Sequence, residues 1–165
     1  MHLHATMQLN EKLDWISKGT TLEEQIVRTK QVAQMDPTFP IFMRMATVEA
    51  ERITGLPEGM PEVFKPKMDI PDGISDTTAR QEIRRIKNFL PNGSMQSLSV
   101  LRRETIWLQM LEGMHWKESN IMVHIKDQTL LSVYPNMREI LIQLGTPVTI
   151  PEPTSVSKKK KSKTT

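Results

Sequence analysis

Glu104 and His115 are the residues whose chemistry could reach beyond packing, and both fall in the stretch LRRETIWLQMLEGMHW, residues 101–116. On a helical wheel at about 100° per residue, Val100, Leu101, Trp107, Leu108 and Leu111 share one arc, with Ile106 and Met110 beside it and Glu104 in its middle. A lone carboxylate buried in such an arc costs several kcal/mol, so it is expected to be paired or to have a raised pKa. Arg84, Arg102, Arg103 and Arg138 are the candidate partners. The preferred reading is structural: Glu104 is a buried charge whose ion pair with an arginine fixes helix register. The catalytic reading makes Glu104 a general acid, and it requires Glu104 and His115 to share a cleft.

No other constellation of reactive groups assembles. His2 and His4 sit at a terminus, and His115 and His124 are separated by a helix break at a spacing that matches no recurrent metal-ligand pattern. There is no GxxxxGK[ST] or GxGxxG phosphate loop and no GxSxG elbow. The adjacent carboxylates Glu23 and Glu24 belong to a first helical turn, where the helix dipole accounts for them. The chain has no cysteine, which excludes disulfides, thiolate metal sites and a cysteine nucleophile. The expectation is a non-enzymatic protein without catalytic, cofactor-binding or metal-binding residues, and with no cofactor.

Two patterns point to binding instead. Arg80, Arg84 and Lys87, at i, i+4 and i+7, make a basic stripe on a predicted helix that could track phosphates. Lys158, Lys159, Lys160, Lys161 and Lys163 add a basic run in SKKKKSK, suited to loose, salt-sensitive contact with a polyanion. Only eight aromatic residues occur in the chain, few for a surface that stacks single-stranded bases. The second pattern is twelve methionines, residues that fill irregular cores and also line adaptable binding surfaces. Met43, Met45, Met60 and Met68, with Phe64, are the candidate lining of a partner groove.

The elements that position these residues read as helices throughout. Leu9, Leu13 and Ile16 mark a first helix stopped by Gly19. TTLEEQIVRTKQVAQM is a second, with capping-box spacing at Thr20–Glu23 and at Thr21–Glu24, ended by Asp36-Pro37. A third begins at Pro40 and closes at Gly55. Residues 55–73, with four prolines and three glycines, form no regular element, but Leu56, Val63, Phe64 and Ile70 predict an ordered loop lying across the helices. A fourth helix is predicted over 75–89, a fifth over 97–112, a sixth over 117–126 and a last one at PNMREILIQLG. The expected fold is all-α: a single compact bundle of six or seven short helices in a domain spanning residues 1–145, with a possible subdivision at the 55–73 loop. Residues 146–165 are expected to be extended and largely disordered.

At 165 residues the chain has the size of one domain, large enough for a core without staples. Its net charge of +3 is unevenly spread: residues 1–150 hold 17 basic groups against 18 acidic ones, so the basicity belongs to the lysine run. The N-terminal MHLHATMQLNEKL has no signal-peptide pattern, and no apolar run approaches the roughly 18 residues of a membrane span. A cytoplasmic location is expected.

Three stretches taken together, LPEGMPEVFKP at 56–66, LRRETIWLQMLEGMH at 101–115 and HIKDQTL at 124–130, resemble a family of small proteins of T4-like tailed phages. That family shows an LPxGxPPYxP loop, a basic-basic-Glu helix ending in LEGxH, and a helix with a Lys-Asp pair; the resemblance covers roughly residues 35–145. Met60-Pro61-Glu62-Val63 replaces the usual Pro-Pro-Tyr, and Trp116 stands where a proline commonly follows the histidine. The resemblance implies a phage setting and the host cytoplasm, and it carries over no reaction. The function expected is that of an accessory protein binding a macromolecular partner, a protein contacted through the Met-rich loop side. The alternative is direct nucleic-acid binding through the basic stripe and tail, and a third reading is a virion component.

Overall fold

The computed structural model describes residues 3–151. The lysine run lies outside the described residues. Among the described residues there are eight α-helices and no strand: α1 Leu9–Ser17, α2 Leu22–Met35, α3 Thr38–Thr47, α4 Ile83–Lys87, α5 Val100–Gly113, α6 Trp116–Asp127, α7 Leu130–Val133 and α8 Met137–Gln143. Single 3-10 turns lie at Glu49–Glu51 and Ser94–Ser97.

The bundle is built around α6, which packs against α1, α3, α5 and α7, while α2 joins α1, α3 and α8. Buried residues cover more than half of the circumference of α6: Ser119, Ile121, Met122, Val123 and Ile125, with Glu118 and Lys126 toward its two ends. The remaining face, with Trp116, Asn120, His124 and Asp127, is the one turned toward solvent. Leu13, Phe39, Phe42, Phe89, Trp107 and Leu111 fill the space around the helix, and Phe89 meets Trp107 edge-on at 5.5 Å between ring centroids.

The caps explain where the helices begin. Thr21 accepts the Glu24 amide at 3.1 Å, and the Glu24 carboxylate reaches back to the Thr20 amide and hydroxyl at 3.0 and 2.7 Å. Of the two expected pairs Thr21–Glu24 therefore forms the cap, its carboxylate reaching one residue further back, to Thr20. The third helix starts at Thr38 instead of Pro40, because the Asp36 carboxylate accepts both the amide (3.0 Å) and hydroxyl (2.6 Å) of Thr38. Pro40 still falls in the first turn, where a missing N–H costs nothing.

The fourth helix is much shorter than its periodicity predicts. Of residues 75–89 only Ile83–Lys87 is helical, because the preceding amides are taken elsewhere. Thr77 N–H donates to the Gly113 carbonyl at 2.9 Å and Ala79 N–H to Glu118 Oε1 at 3.0 Å. Ser75 and Thr78 hydroxyls bond their own local backbone at 2.7 and 3.2 Å. At the far end, a Cβ on Gly93 would stand 2.1 Å from the Asn88 carbonyl oxygen, so the Pro-Asn-Gly turn admits only glycine there.

Three buried polar arrangements hold elements together. Lys12 pairs with Asp36 at 2.6 Å and donates to the Ala5 carbonyl at 3.0 Å. Burial pushes the Asp36 carboxyl upward, but hydrogen bonds from Lys12 and Thr38 outweigh it and hold its pKa below the ordinary value. Glu118, 1% exposed, accepts the Leu9 amide at 2.7 Å and the Ala79 amide at 3.0 Å, tying α6 to the start of α1 and to the segment before α4. Burial raises its pKa, and the two amide donors pull it partly back. The third arrangement, at the other end of α6, shapes the candidate site.

Candidate functional site

The N-terminal half of α5 extends past the core. Ser99 caps the helix by accepting the Arg102 amide at 3.2 Å, and the first turn then stands in solvent, with Leu101 75% exposed and Val100 also exposed. Leu101, Glu104, Thr105 and Leu108 fall at i, i+3, i+4 and i+7, forming one stripe along the helix. That stripe is one wall of a groove of about 500 Å³, and residues 56–63 of the proline-rich loop are the other. Trp107 lies at its base, 2% exposed, with an indole N–H that has no hydrogen-bond partner among the described residues.

The loop wall has no helix or strand to hold its backbone, and α6 supplies the missing partners. Lys126, nearly buried, donates to the Pro57 carbonyl at 2.7 Å and pairs with Asp127 at 2.5 Å. The second oxygen of Asp127 accepts the Gly59 amide at 3.0 Å. Gly59 has φ +83°, a conformation that favours glycine. Phe64 is buried just beyond the groove and anchors the wall from below. Further along, His115 Nδ1 accepts the Lys117 amide at 3.2 Å, so the ring hydrogen sits on Nε2 and is donated to the Ile70 carbonyl at 3.1 Å. Lys117 pairs with Asp72 at 2.8 Å and holds that carboxyl below its usual range. The 55–73 loop is thus an ordered structure fixed at both ends, leaving Val63 and Met68 exposed.

Several expected site residues stand elsewhere. Glu104 is half-buried with no ion-pair partner among the described residues, so it is not a buried structural charge. The wheel treated α5 as buried along its whole length, whereas only Trp107, Met110 and Leu111 point fully into the core. Met43 and Met45 are core residues on α3 and do not line this groove, Met43 instead flooring a separate hollow against α2 and α8; Phe64 is a core anchor, Met60 lines the groove, and Met68 lies outside it. Arg80 is not on a helix, and its Nε lies 3.4 Å from Asp36, so no helical stripe joins it to the exposed Arg84 and Lys87. Glu104 and His115 occupy different hollows, and both His115 nitrogens are engaged. The lysines at 158–161 and 163 lie outside the described residues. Sequence reasoning did not single out Glu118, Lys126 and Asp127 as buried groups; the only signal was the Lys-Asp pair within the resemblance.

The groove is acidic and apolar together. Glu58, Glu62 and Glu104 line it with Leu56, Val63, Leu101 and Leu108, and among the described residues no lysine or arginine does. Arg103 turns away, packing its guanidinium against Gly55 and reaching toward the Gln96 carbonyl at 3.5 Å. Among the described residues no three acidic or histidine side chains converge to hold a metal ion, and no helix is long and apolar enough to cross a membrane.

Residues 41–132, more than half of the chain, match the model of a family of unknown function, DUF6433. The chain belongs to that family. The matched span holds both walls of the groove and the Lys126–Asp127 clamp. Neither the search of curated proteins nor the search of solved structures returned a match.

Proposed function

We propose that this DUF6433 member is a non-enzymatic accessory protein that binds a protein partner through the groove between α5 and the 56–63 wall. The observation that carries the reading is the pairing of a firmly held wall with strongly exposed apolar side chains, Leu101 at 75% and Val63 at 68%. Apolar residues so exposed and so close together mark an interaction surface more often than they serve the fold. The carboxylates at its rim favour a partner segment with apolar anchors and basic flanks. The motif resemblance supports a phage setting and a host-cytoplasmic site of action.

The test is affinity capture from infected cells with wild-type protein and with Leu101→Ser/Val63→Ser. The expected result is a partner retained by wild type and lost by the variant, whose thermal unfolding midpoint stays unchanged because neither side chain is in the core. Equal capture by both proteins refutes the groove. A second reading, nucleic-acid binding, draws on Arg84 and Lys87, which are exposed and pair with no carboxylate among the described residues. It requires duplex binding that falls steeply with salt and is lost in Arg84→Ala/Lys87→Ala. Mass spectrometry of purified particles addresses the virion-component reading.

A further inference from the structure

We infer that the groove's resident ligand is the chain's own basic segment, SKKKKSK at 157–163, which docks across it and competes with any external partner. The inference rests on reading the groove as a docking surface, but on no partner's identity.

Charge complementarity is the first support. Glu58, Glu62 and Glu104 line the groove, and among the described residues no basic side chain lines it with them. The body as a whole holds 17 basic against 18 acidic groups, so nearly all the unbalanced positive charge of the chain resides in Lys158, Lys159, Lys160, Lys161 and Lys163. The apolar lining provides a surface for lysine methylene stems, whose ammonium ends can remain at the rim.

The path of the chain is the second support. Thr149 is bound beside the end of α3, its amide donating to the Thr47 carbonyl at 2.9 Å and its hydroxyl accepting the Glu49 amide at 2.8 Å. The Gln128 side chain, next after α6, donates to the Met45 and Val48 carbonyls at 3.0 and 3.1 Å. Lys126 and Asp127, immediately before it, hold Pro57 and Gly59 of the groove wall. One end of α6 therefore supports both the Thr149 contact and the wall of the groove, and the chain then passes along α8, where Arg138 donates to the Ile150 and Pro151 carbonyls at 3.3 and 3.2 Å. From Pro151, the seven residues to Lys158 span up to about 23 Å and the twelve to Lys163 up to about 40 Å. A body of this size has a radius of gyration of about 15 Å, so the groove is within reach.

Each contact between exposed charges is weak and screened by salt, but tethering places the segment at an effective concentration in the millimolar range. The docked segment exchanges with solution and occludes the groove until a partner with better apolar anchors displaces it.

The experiment compares amide and indole NMR spectra of the full-length protein with those of a full-length variant in which Lys158, Lys159, Lys160, Lys161 and Lys163 are all changed to glutamine. Resonances of Glu58, Glu62, Leu101 and Glu104, and the Trp107 indole, are expected to shift on substitution. The wild-type resonances should move to the variant's positions when salt rises from about 0.01 M to about 1 M, as the screening length drops from about 30 Å to about 3 Å. The wild-type shifts should be independent of protein concentration. Unchanged groove resonances, or shifts confined to acidic surfaces elsewhere such as Glu49 and Glu51, overturn the inference. Shifts that vanish on dilution also overturn it, because the occupant is then the segment of a second copy. A groove that captures a partner in a Leu101-dependent way but gives no such shifts leaves the proposed function standing and removes this inference alone.

Discussion

Removing Asp127 tests whether the groove wall is held as described. In Asp127→Ala, the Lys126 ammonium, 3% exposed, keeps only the Pro57 carbonyl, and the Gly59 amide loses its acceptor. Removing one partner of a buried pair costs about 3–5 kcal/mol. The Asp127 side chain is 13% exposed, so water reaches part of the site and lowers the cost to about 2–4 kcal/mol. Lys126→Met strands less, since the Asp127 carboxylate keeps the Gly59 amide and some solvent; about 1–2 kcal/mol is expected. The double variant should cost less than the sum of the two, the signature of a coupled pair. Urea unfolding measures all three. Hydrogen exchange at Gly59 supplies a local readout, because this amide lies in a loop and its protection comes from the Asp127 carboxylate. A loss below about 0.5 kcal/mol in Asp127→Ala, with Gly59 exchange unchanged, would refute the clamp.

Other perturbations separate the remaining polar groups. Asp36→Ala strands the buried Lys12 and should cost about 3–5 kcal/mol in denaturant unfolding. Because folding lowers the Asp36 pKa, its contribution in the wild type is present above 3.8 and is lost as pH falls through the lower folded value, which an acid titration of stability reads. Glu118 has the opposite sign: its folded pKa is raised, so its contribution is full below 4.5 and is lost as pH rises through the folded value. The stability of Glu118→Gln relative to wild type should therefore improve as pH rises above 4.5, and a flat difference up to neutral pH would show that burial does not dominate at this site. Glu104→Ala should change stability by less than about 0.5 kcal/mol, since Glu104 is half-buried and unpaired; a loss of several kcal/mol would restore the buried-charge reading.

What was legible in the sequence is what local rules determine. The helix class, the ends of α1 and α2, and α5, α6 and α8 follow from apolar spacing, Thr21 and Glu24, and the Gly and Pro stops. The shrinkage of α4 was hidden because its cause is distant in sequence: Glu118 and Gly113 take amides that a helix would have used. α7 is a single turn, reached through Gln128 in a left-handed conformation at φ 56°, and a glutamine does not announce that conformation as a glycine would. Glu104 was misplaced because a wheel shows which residues share a face but not how far along the helix the core extends. The groove's two walls were visible separately, as a loop too apolar to be a linker and as a helix with a charge in its apolar arc. Their apposition depends on Lys126 and Asp127, which as neighbours in sequence read like any solvated pair.

Charged side chains hold this wall, instead of further apolar contacts, because of what the wall is made of. Residues 55–73 contain four prolines, which lack amide donors and break regular pairing, so the segment cannot satisfy its own backbone through a helix or a ladder. Any carbonyl or amide it turns toward the bundle needs a partner supplied by the bundle. Lys126 offers a donor to Pro57, Asp127 an acceptor to Gly59, and His115 a donor to Ile70, so each of these backbone groups meets a side chain of the matching kind. An apolar residue at any of these positions would leave a buried polar group unpaired. The same contacts free the loop's own side chains from structural duty. Phe64 is the loop side chain given wholly to the core and Leu56 and Met60 pack partly against it, while Val63, with Leu101 across the groove, remains available to a ligand. Fixing a wall through its backbone is what allows its side chains to be chosen for binding, and this is the strongest structural reason to look for function between α5 and the 56–63 wall.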